Sequence, residues 1–262
     1  MTGAPTAVLE RIEQYYDDVP RAFATAENLG PFTLFVRRDP HGWPYYARPR
    51  LGHDGTVTAD DVRRVRDRQR ELGLPESFEW VAETSPGVAD PARAAGLQVN
   101  AHPLLVLRHP TDPGAVPAAV RIEVLQAASA QLGRVASAIN AGFEDSDEVE
   151  EARDNDSYRE ALARGLMRTV GAFDAGGAVG GGSHSPRGRV TELAGIAVLP
   201  RARGRGIGAA VTARLVADAR ALGVETVFLS AGTDRVARIY ERVGFERVGT
   251  ACIAEPSAPG SA

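Results

Sequence analysis

Apolar and polar residues recur along this chain with two periods, and each period predicts a different kind of element. In the N-terminal half, Leu9, Ile12, Tyr16 and Val19 have the spacing of one helix face. The helices predicted there are 5–28, 58–72 and 89–97, and short apolar runs predict strands over 32–36, 45–48, 77–81 and 103–108.

The second half shows the same mixture of periods. Val211, Leu215, Ala219 and Leu222 form an apolar stripe on one predicted helix. The helices predicted in this half are 130–142, 157–167, 208–222 and 234–245, and the strands are 120–125, 169–175, 191–199, 224–231 and 246–254. Alternating helices and strands of this kind predict an α/β (α+β) protein of two halves.

A proline-rich stretch separates the halves. The sequence HPTDPGAVP, residues 109–117, carries three prolines and one glycine, which is typical of a linker. We therefore predict two domains, 1–115 and 118–256, followed by a disordered tail over 257–262.

The two halves also share a local pattern. RELGLPESFEWVAET (70–84) aligns with RALGVETVFLSAGT (220–233), so that Gly73 matches Gly223 and Phe78 matches Phe228. Unrelated helix–strand–helix units would also look alike, and that alternative stays open. If the repeat is real, HDGTVT (53–58) corresponds to 203–208 without its glycines and arginines. The first half would then have kept the packing of the second and lost a ligand-binding turn.

Composition excludes several classes of protein. The net charge is −4, so bulk electrostatics do not favour nucleic-acid binding. The one cysteine, Cys252, allows neither an internal disulfide nor a cysteine metal cluster, and no metal is expected. The apolar runs are too short for a membrane span. The N-terminal residues lack the pattern of a signal peptide, so we expect a cytoplasmic protein that does not contact a membrane.

The stretch LPRARGRGIG, residues 199–208, carries the strongest chemical signal. A glycine-rich turn between a strand and a helix leaves backbone amide groups unpaired at the positive end of the helix dipole. Such a turn binds phosphate or pyrophosphate, and Arg201, Arg203 and Arg205 add positive charge. A Walker loop is excluded because the chain contains no lysine. A dinucleotide-binding fold is disfavoured because about fifty residues follow, too few to complete its sheet.

The segment Arg203-Gly204-Arg205-Gly206-Ile207-Gly208 reads Arg-x-x-Gly-x-Gly, and it resembles the signature of the GCN5-related N-acetyltransferase (GNAT) superfamily. The strand TELAGIAVLP before it, and the segment DRVARIYERVGF after the next strand, resemble that family in order. The resemblance covers about residues 120–254. It implies a GNAT fold, with a mixed central sheet flanked by helices, and the N-terminal half would be a degenerate GNAT-like copy.

The resemblance also implies an activity and a site. The family transfers an acetyl group from acetyl-CoA to an amine, holds the pyrophosphate on this turn and pairs the pantetheine with the preceding strand. Tyr240 matches the usual general acid, and Glu192 matches a carboxylate that acts as base in many relatives; His184 is a second candidate base, although its neighbours favour a flexible hairpin loop. Asp234 stands where the family often has asparagine. The cofactor-binding residues implied are Ile196, Ala197, Val198, Arg203, Gly204, Arg205, Gly206, Ile207, Gly208, Ala209, Ser230, Asp234 and Ala237.

Several alternatives remain at this point. The donor can be a longer acyl-CoA, a carrier-protein thioester or an aminoacyl-tRNA, and the protein can be a CoA-binding regulator without activity. We expect nucleic acid to bind only as an aminoacyl-tRNA donor, and the arginines of helix 58–72 are the candidates for contacting it.

The acceptor is a small-molecule or peptide amine. The acidic stretch 144–156 would attract a cationic one, and a solvated acidic loop is the alternative. A homodimer built on the strand after Gly244 also stays open.

Overall fold

The structure, a computed structural model, describes residues 3–40, 42–109, 119–150 and 155–257. Most of the predicted linker 109–117 and of the tail 257–262 lies outside these residues. The chain forms two compact units: unit 1 holds 1–104, 230–234 and 247–262, and unit 2 holds 105–229 and 235–246. The division into domains 1–115 and 118–256 stays a prediction, and the compact units alternate along the chain.

The first half of the chain contains three helices and five strands among the described residues. They are α1 (Gly3–Arg21), β1 (Ala24–Leu29), β2 (Phe32–Arg37), β3 (Ala47–Pro49), α2 (Ala59–Glu71), β4 (Phe78–Val81), α3 (Ala89–Ala94) and β5 (Gln98–Leu107).

The second half contains the elements that carry the candidate site. They are β6 (Arg121–Leu125), α4 (Leu132–Phe143), α5 (Asp156–Ala163), β7 (Arg168–Asp174), β8 (Gly177–His184), β9 (Val190–Val198), α6 (Ile207–Ala221), β10 (Thr226–Ser230), α7 (Asp234–Glu241) and β11 (Phe245–Glu255).

The sheet of unit 1 has the strand order β1-β2-β3-β4-β11-β5. Strand β11 pairs antiparallel with β4, with Cys252 opposite Trp80. The helix predicted over 5–28 is too long, because residues 24–29 form β1 and pair antiparallel with β2. Gly30, at φ +59°, makes the turn between these two strands. The helical spacing of Leu9 to Val19 thus ends with α1, and pairing with β2 determines the conformation of residues 24–29.

A buried ion pair lies at the centre of unit 1. Arg48 is fully buried and pairs with Glu13. Glu13 also accepts hydrogen bonds from Val81 N, at 3.2 Å, and from Thr84 Oγ1, at 2.6 Å. These additional bonds offset the cost of removing both charges from water.

The aromatic residues just before β3 belong mostly to the core of unit 1. Tyr45 and Tyr46 are buried against Phe35 and Ala24, whereas Trp43 is exposed.

The sheet of unit 2 has the order β10-β9-β8-β7-β6. Strands β6 to β9 are antiparallel, and β9 and β10 are parallel. Unit 1 has a similar arrangement, with antiparallel β2–β3 and parallel β3–β4 pairs. Each unit thus has a mixed sheet, with the helix α2 or α6 connecting its two parallel strands.

The repeat inferred from the sequence has a structural counterpart. Gly73 and Gly223 both follow a long helix with positive φ, at +63° and +79°. Gly96 and Gly244 follow the next short helix, also with positive φ. Left-handed backbone of this kind is accessible to glycine at little cost, which explains why glycine ends each helix.

A buried polar network joins α6 to the sheet of unit 2. Asp218 on α6 binds Arg168 through two hydrogen bonds of 2.9 Å. The same carboxylate contacts His184 Nε2 at 3.0 Å, and Nδ1 of that ring lies 3.1 Å from Thr191 Oγ1. The expectation of a flexible loop at His184 is wrong, because this residue ends β8 and is fully buried.

Among the described residues, none of the helices is long and apolar enough to cross a membrane.

The buried network predicts a pH dependence of stability. Burial lowers the pKa of His184, although Asp218 opposes this shift. Between the lowered pKa and the ordinary value of about 6.5, the unfolded chain binds more protons than the folded one. The free energy of unfolding should therefore fall as pH falls from about 7 to 5. Urea denaturation at a series of pH values measures this slope.

Two variants isolate the contribution of this ring. His184→Gln should destabilise the protein by about 1–3 kcal/mol, because buried partners lose hydrogen bonds, and should flatten the slope. His102→Gln, which changes an exposed ring, should keep it. An unchanged slope in His184→Gln would contradict this assignment.

Candidate active site

The turn before α6 has the backbone of an anion-binding site. Residues Pro200–Ala202 form one turn of 3-10 helix, and Gly204 and Gly206 follow with φ of +75° and +76°. Gly206 is the N-cap of α6, and no side chain caps this helix end. Non-glycine residues rarely adopt these angles, so the two glycines permit the turn.

The amide groups of this turn lack hydrogen-bond acceptors within the described part of the chain. The first hydrogen bond of α6 runs from Ala210 N to Gly206 O, at 3.0 Å. Among the described residues, no acceptor binds the N–H groups of residues 204–209. A Cβ added at Gly204 or Gly206 would meet nothing within 4 Å. The helix therefore begins with several unsatisfied donors and partial positive charge.

The corresponding helix of unit 1 begins differently. Thr58 caps α2 and forms a capping box with Asp61, whose amide donates to Thr58 Oγ1 at 3.2 Å. The carboxylate of Asp61 accepts in return from Thr58 N at 3.0 Å. Side chains of the protein satisfy the donors here, so this end of α2 offers a poorer site for an anion.

Arg203 anchors the glycine turn. Its Nε donates to Val198 O at 3.0 Å, and its Nη2 donates to Gly142 O at 2.7 Å. It also forms an ion pair with Asp145, which has a φ of +57°. The side chain of Arg203 thus joins the end of β9 to the end of α4.

The other two arginines of the turn also lie near carboxylates. Arg205 Nη1 lies 3.6 Å from Asp174 Oδ2. The backbone N–H of Arg201 donates to Asp147 Oδ1 at 3.0 Å. Part of the acidic stretch 144–156 therefore contacts the turn; residues 151–154 of that stretch lie outside the described residues. These contacts join residues far apart in the sequence, so no local sequence pattern predicts them.

Strand β9 separates from β10 beside the turn. In the described part of the chain, their pairing covers Val190–Glu192 and Thr226–Phe228. The pairing of β9 with β8 has an irregularity opposite Gly182. Gly195 lies there with φ +64° and is exposed, and the predicted residues Ile196, Ala197 and Val198 follow it, half-buried. The edge of β9 beyond Glu192 therefore faces a gap in the sheet.

Tyr240 lies on α7 and is half-buried. Its ring packs edge-on against Phe245, with 6.0 Å between the ring centroids. Burial raises the pKa of Tyr240 to about 12. The phenol therefore keeps its proton at neutral pH, as a general acid must.

The two candidate bases lie on opposite faces of the sheet. Thr191 contacts His184 and so faces α6. Since side chains alternate along a strand, Glu192 faces the other side. Glu192 is half-buried, whereas His184 is fully buried with a polar contact at each ring nitrogen.

The remaining predicted contacts lie after β9. Ser230 ends β10 and is exposed. Asp234 is the first residue of α7 and accepts a hydrogen bond from Arg247 at 3.0 Å. Ala237 is buried on the same helix. Cys252 is a buried free thiol, and burial raises its pKa, so it is a poor nucleophile.

A cleft in unit 2 lies beside the exposed part of β9. Helices α4 and α5 and strands β8 and β9 form its walls. The residues that line it are Leu132, Gly133, Ala136, Ile139, Asn140, Asn155, Tyr158, Arg159, Ser183 and Gly195. Sequence analysis did not identify these residues. Across residues 3–40, 42–109, 119–150 and 155–257, there is no cluster of three or more His, Cys, Asp or Glu side chains that could hold a metal ion.

Comparison with known proteins agrees with this geometry. The chain resembles a GCN5-related N-acetyltransferase from Kribbella flavida, with 23% identity over 96% of each chain and a TM-score of 0.70. A GCN5-related N-acetyltransferase from Sphaerobacter thermophilus has 15% identity over 95% of this chain and 86% of its own, with a TM-score of 0.61. A tandem GNAT protein from the clavulanic acid biosynthesis pathway has 20% identity over 87% of this chain and 79% of its own, with a TM-score of 0.52.

These similarities establish the fold, and a family profile matches part of the chain. No curated protein matches the chain. A profile of the Acetyltransferase (GNAT) family matches residues 134–245, which include the glycine turn, β9, α6 and α7. The mixed sheets of the two units agree with a tandem GNAT fold. Residues 134–245 of this chain therefore match the GNAT acetyltransferase family in sequence, and the fold around them is that of GNAT proteins.

Proposed function

We propose that unit 2 transfers an acetyl group from acetyl-CoA to a primary amine. The observation that carries this proposal is the row of unsatisfied amide groups at residues 204–209, which begins α6 without a side-chain cap. Donors in this arrangement bind a pyrophosphate by hydrogen bonding and by the charge of the helix dipole.

The space around the turn fits such a ligand. A Cβ at Gly208 would meet only Val198 Cγ2, at 3.9 Å, and Gly204 and Gly206 are open. The backbone can therefore approach phosphate oxygens without side chains between them. Arg203 holds the turn in place through Val198 and Gly142, so we assign it a positioning role.

The exposed edge of β9 supports the same assignment. An extended pantetheine arm carries amide groups, and Ile196 to Val198 offer strand backbone beside the gap to β10. Hydrogen bonds to that edge would direct the thioester from the turn towards the cleft beside Gly195.

Glu192 and Tyr240 supply the proton transfers. Glu192 accepts a proton from the attacking ammonium, so that the neutral nitrogen can bond to the thioester carbonyl carbon. As the carbon–sulfur bond breaks, Tyr240 donates its phenolic proton to the departing thiolate. The acylated nitrogen then releases its second proton, which returns the Tyr240 phenolate to the phenol. The attack is direct, within a ternary complex, and involves no covalent enzyme intermediate. His184 takes no part, because its buried ring is engaged with Asp218 and Thr191.

No observation favours an aminoacyl-tRNA donor. The arginines of α2 each have a carboxylate partner, so they do not form an open basic surface. The pairs are Arg63–Asp60, Arg64–Asp61, Arg66–Glu76, Arg68–Glu27 and Arg70–Glu76.

Gly206→Asp tests the turn. The substitution adds a negative charge at the unsatisfied amides, which should cost about 1–2 kcal/mol of binding and weaken acetyl-CoA binding about ten-fold or more. Isothermal titration of acetyl-CoA into wild type and variant measures the change. Wild type should bind one acetyl-CoA per chain, because the capping box occupies the start of α2.

Gly52→Asp is the matched control. Gly52 has a φ of +74° and open space around its Cα, as Gly206 does. The control therefore introduces the same charge and the same backbone strain, and it should leave binding unchanged. Equal losses in both variants would refute the assignment of the pyrophosphate to residues 204–209.

Tyr240→Phe tests the general acid. The variant removes the proton donor and keeps the contact with Phe245, so kcat should fall about 10²- to 10⁴-fold with little change in the Kd for acetyl-CoA. Steady-state thiol release and titration measure the two quantities. Because the pKa of Tyr240 is about 12, wild-type kcat should show no loss from deprotonation of this phenol between about pH 7 and 10.

Tyr46→Phe, which removes a hydroxyl bonded to Tyr16 O in unit 1, should retain full activity. A Tyr240→Phe enzyme as active as Tyr46→Phe would exclude Tyr240 as the acid.

A further inference from the structure

The cleft beside Gly195 has an apolar wall built by one face of α4. Leu132, Ala136 and Ile139 recur at helical spacing on that face and all line the cleft. Gly133 adds no side chain, so it leaves room between them. Most of the surface that a bound molecule would meet on this wall is therefore hydrocarbon.

The opposite side of the cleft is polar and uncharged. Ser183 lines it and donates from Oγ to Ala194 O at 3.3 Å. At Gly195, a Cβ would meet only Ser183 Oγ, at 3.8 Å. On the α4 side, Asn140 follows the apolar wall and adds an exposed carboxamide. These groups can orient one polar group near β9.

No carboxylate lies among the described residues that line this cleft. Its ionisable side chains are Arg159, whose Nη1 donates to Ala127 O at 2.6 Å, and Tyr158, which is 2.5 Å from Thr169 Oγ1. Two acids of the stretch 144–156, Asp145 and Asp147, contact Arg203 and the backbone of Arg201 on the turn. Among the described residues that line the cleft, a second ammonium group would therefore find no carboxylate.

The proposed base, Glu192, can neutralise one ammonium group of the acceptor. Glu192, on the face of β9 away from α6, accepts the proton of the nitrogen that is acetylated. An additional cation pressed against Leu132 and Ile139 would lose hydration without gaining an ion pair, which is costly.

We infer that the acceptor is a primary monoamine with an apolar body, recognised by the α4 wall, and that diamines, polyamines and basic peptides are disfavoured. This inference rests on the proposed acetyl transfer. It specifies which class of amine the cleft between α4, α5 and β9 selects.

Pentylamine and putrescine form a matched pair of acceptors. Their chains have equal length and differ at the far end, where one has a methyl group and the other an ammonium. Thiol release with acetyl-CoA should give a kcat/KM at least about ten-fold higher for pentylamine, because the unpaired ammonium loses hydration. Titration of acetyl-CoA is measured on the same samples.

Ala136→Asp adds the missing carboxylate to the wall at an exposed position. It should shift the ratio of kcat/KM values towards putrescine about ten-fold, since the added charge can pair with the second ammonium. Ser137→Asp adds the same charge to the same helix outside the lining of the cleft, and it should leave the ratio close to that of wild type.

The outcomes separate this inference from the proposed function. Failure of folded wild type to bind acetyl-CoA would overturn both. If acetyl-CoA binds and putrescine is used as well as pentylamine, or neither is acetylated, the inference on the acceptor fails alone. Equal ratios in Ala136→Asp and Ser137→Asp would also overturn it, because the cleft would then not contact the acceptor chain.

Discussion

The site depends on one helix that begins without satisfying its own amide groups. Gly204 and Gly206 turn the backbone through left-handed angles before α6, and no side chain caps the helix. A helix end of this kind is stabilised when a ligand supplies the acceptors. Arg203 makes the arrangement rigid, because it joins β9, the turn and the end of α4. In the proposed function, an anion supplies the acceptors that this helix start lacks.

The two units differ in how the first amide groups of their long helices, α2 and α6, are satisfied. Both place a long helix between parallel strands and end it at a left-handed glycine, Gly73 or Gly223. At the start of α2, Thr58 and Asp61 satisfy the backbone with side chains. At the start of α6 the backbone is left open. A capping box and an anion would compete for the same amide groups, so under the proposed function only the start of α6 is open to a ligand.

Most elements were predictable because their signals are local. Glycines with positive φ mark helix ends, and Thr58 marks a helix start, so α2 and α6 were predicted to within a residue. The turn at 203–208 was recognised for the same reason. Strand β1 was missed because only its pairing with β2 makes it a strand. The contacts of Arg203 with Asp145 and of His184 with Asp218 were also missed, since they join residues far apart in sequence.

The pairing of β11 with β4 has a consequence for the order of events during synthesis. Unit 1 includes residues 247–255, which the ribosome makes after all of unit 2. Until those residues emerge, β4 has no partner at the edge where Ala251 to Ala254 will pair. An unpaired strand edge invites association with other chains. The first unit to be translated is therefore the last to be completed, and this edge of β4 stays unpaired while unit 2 is being made.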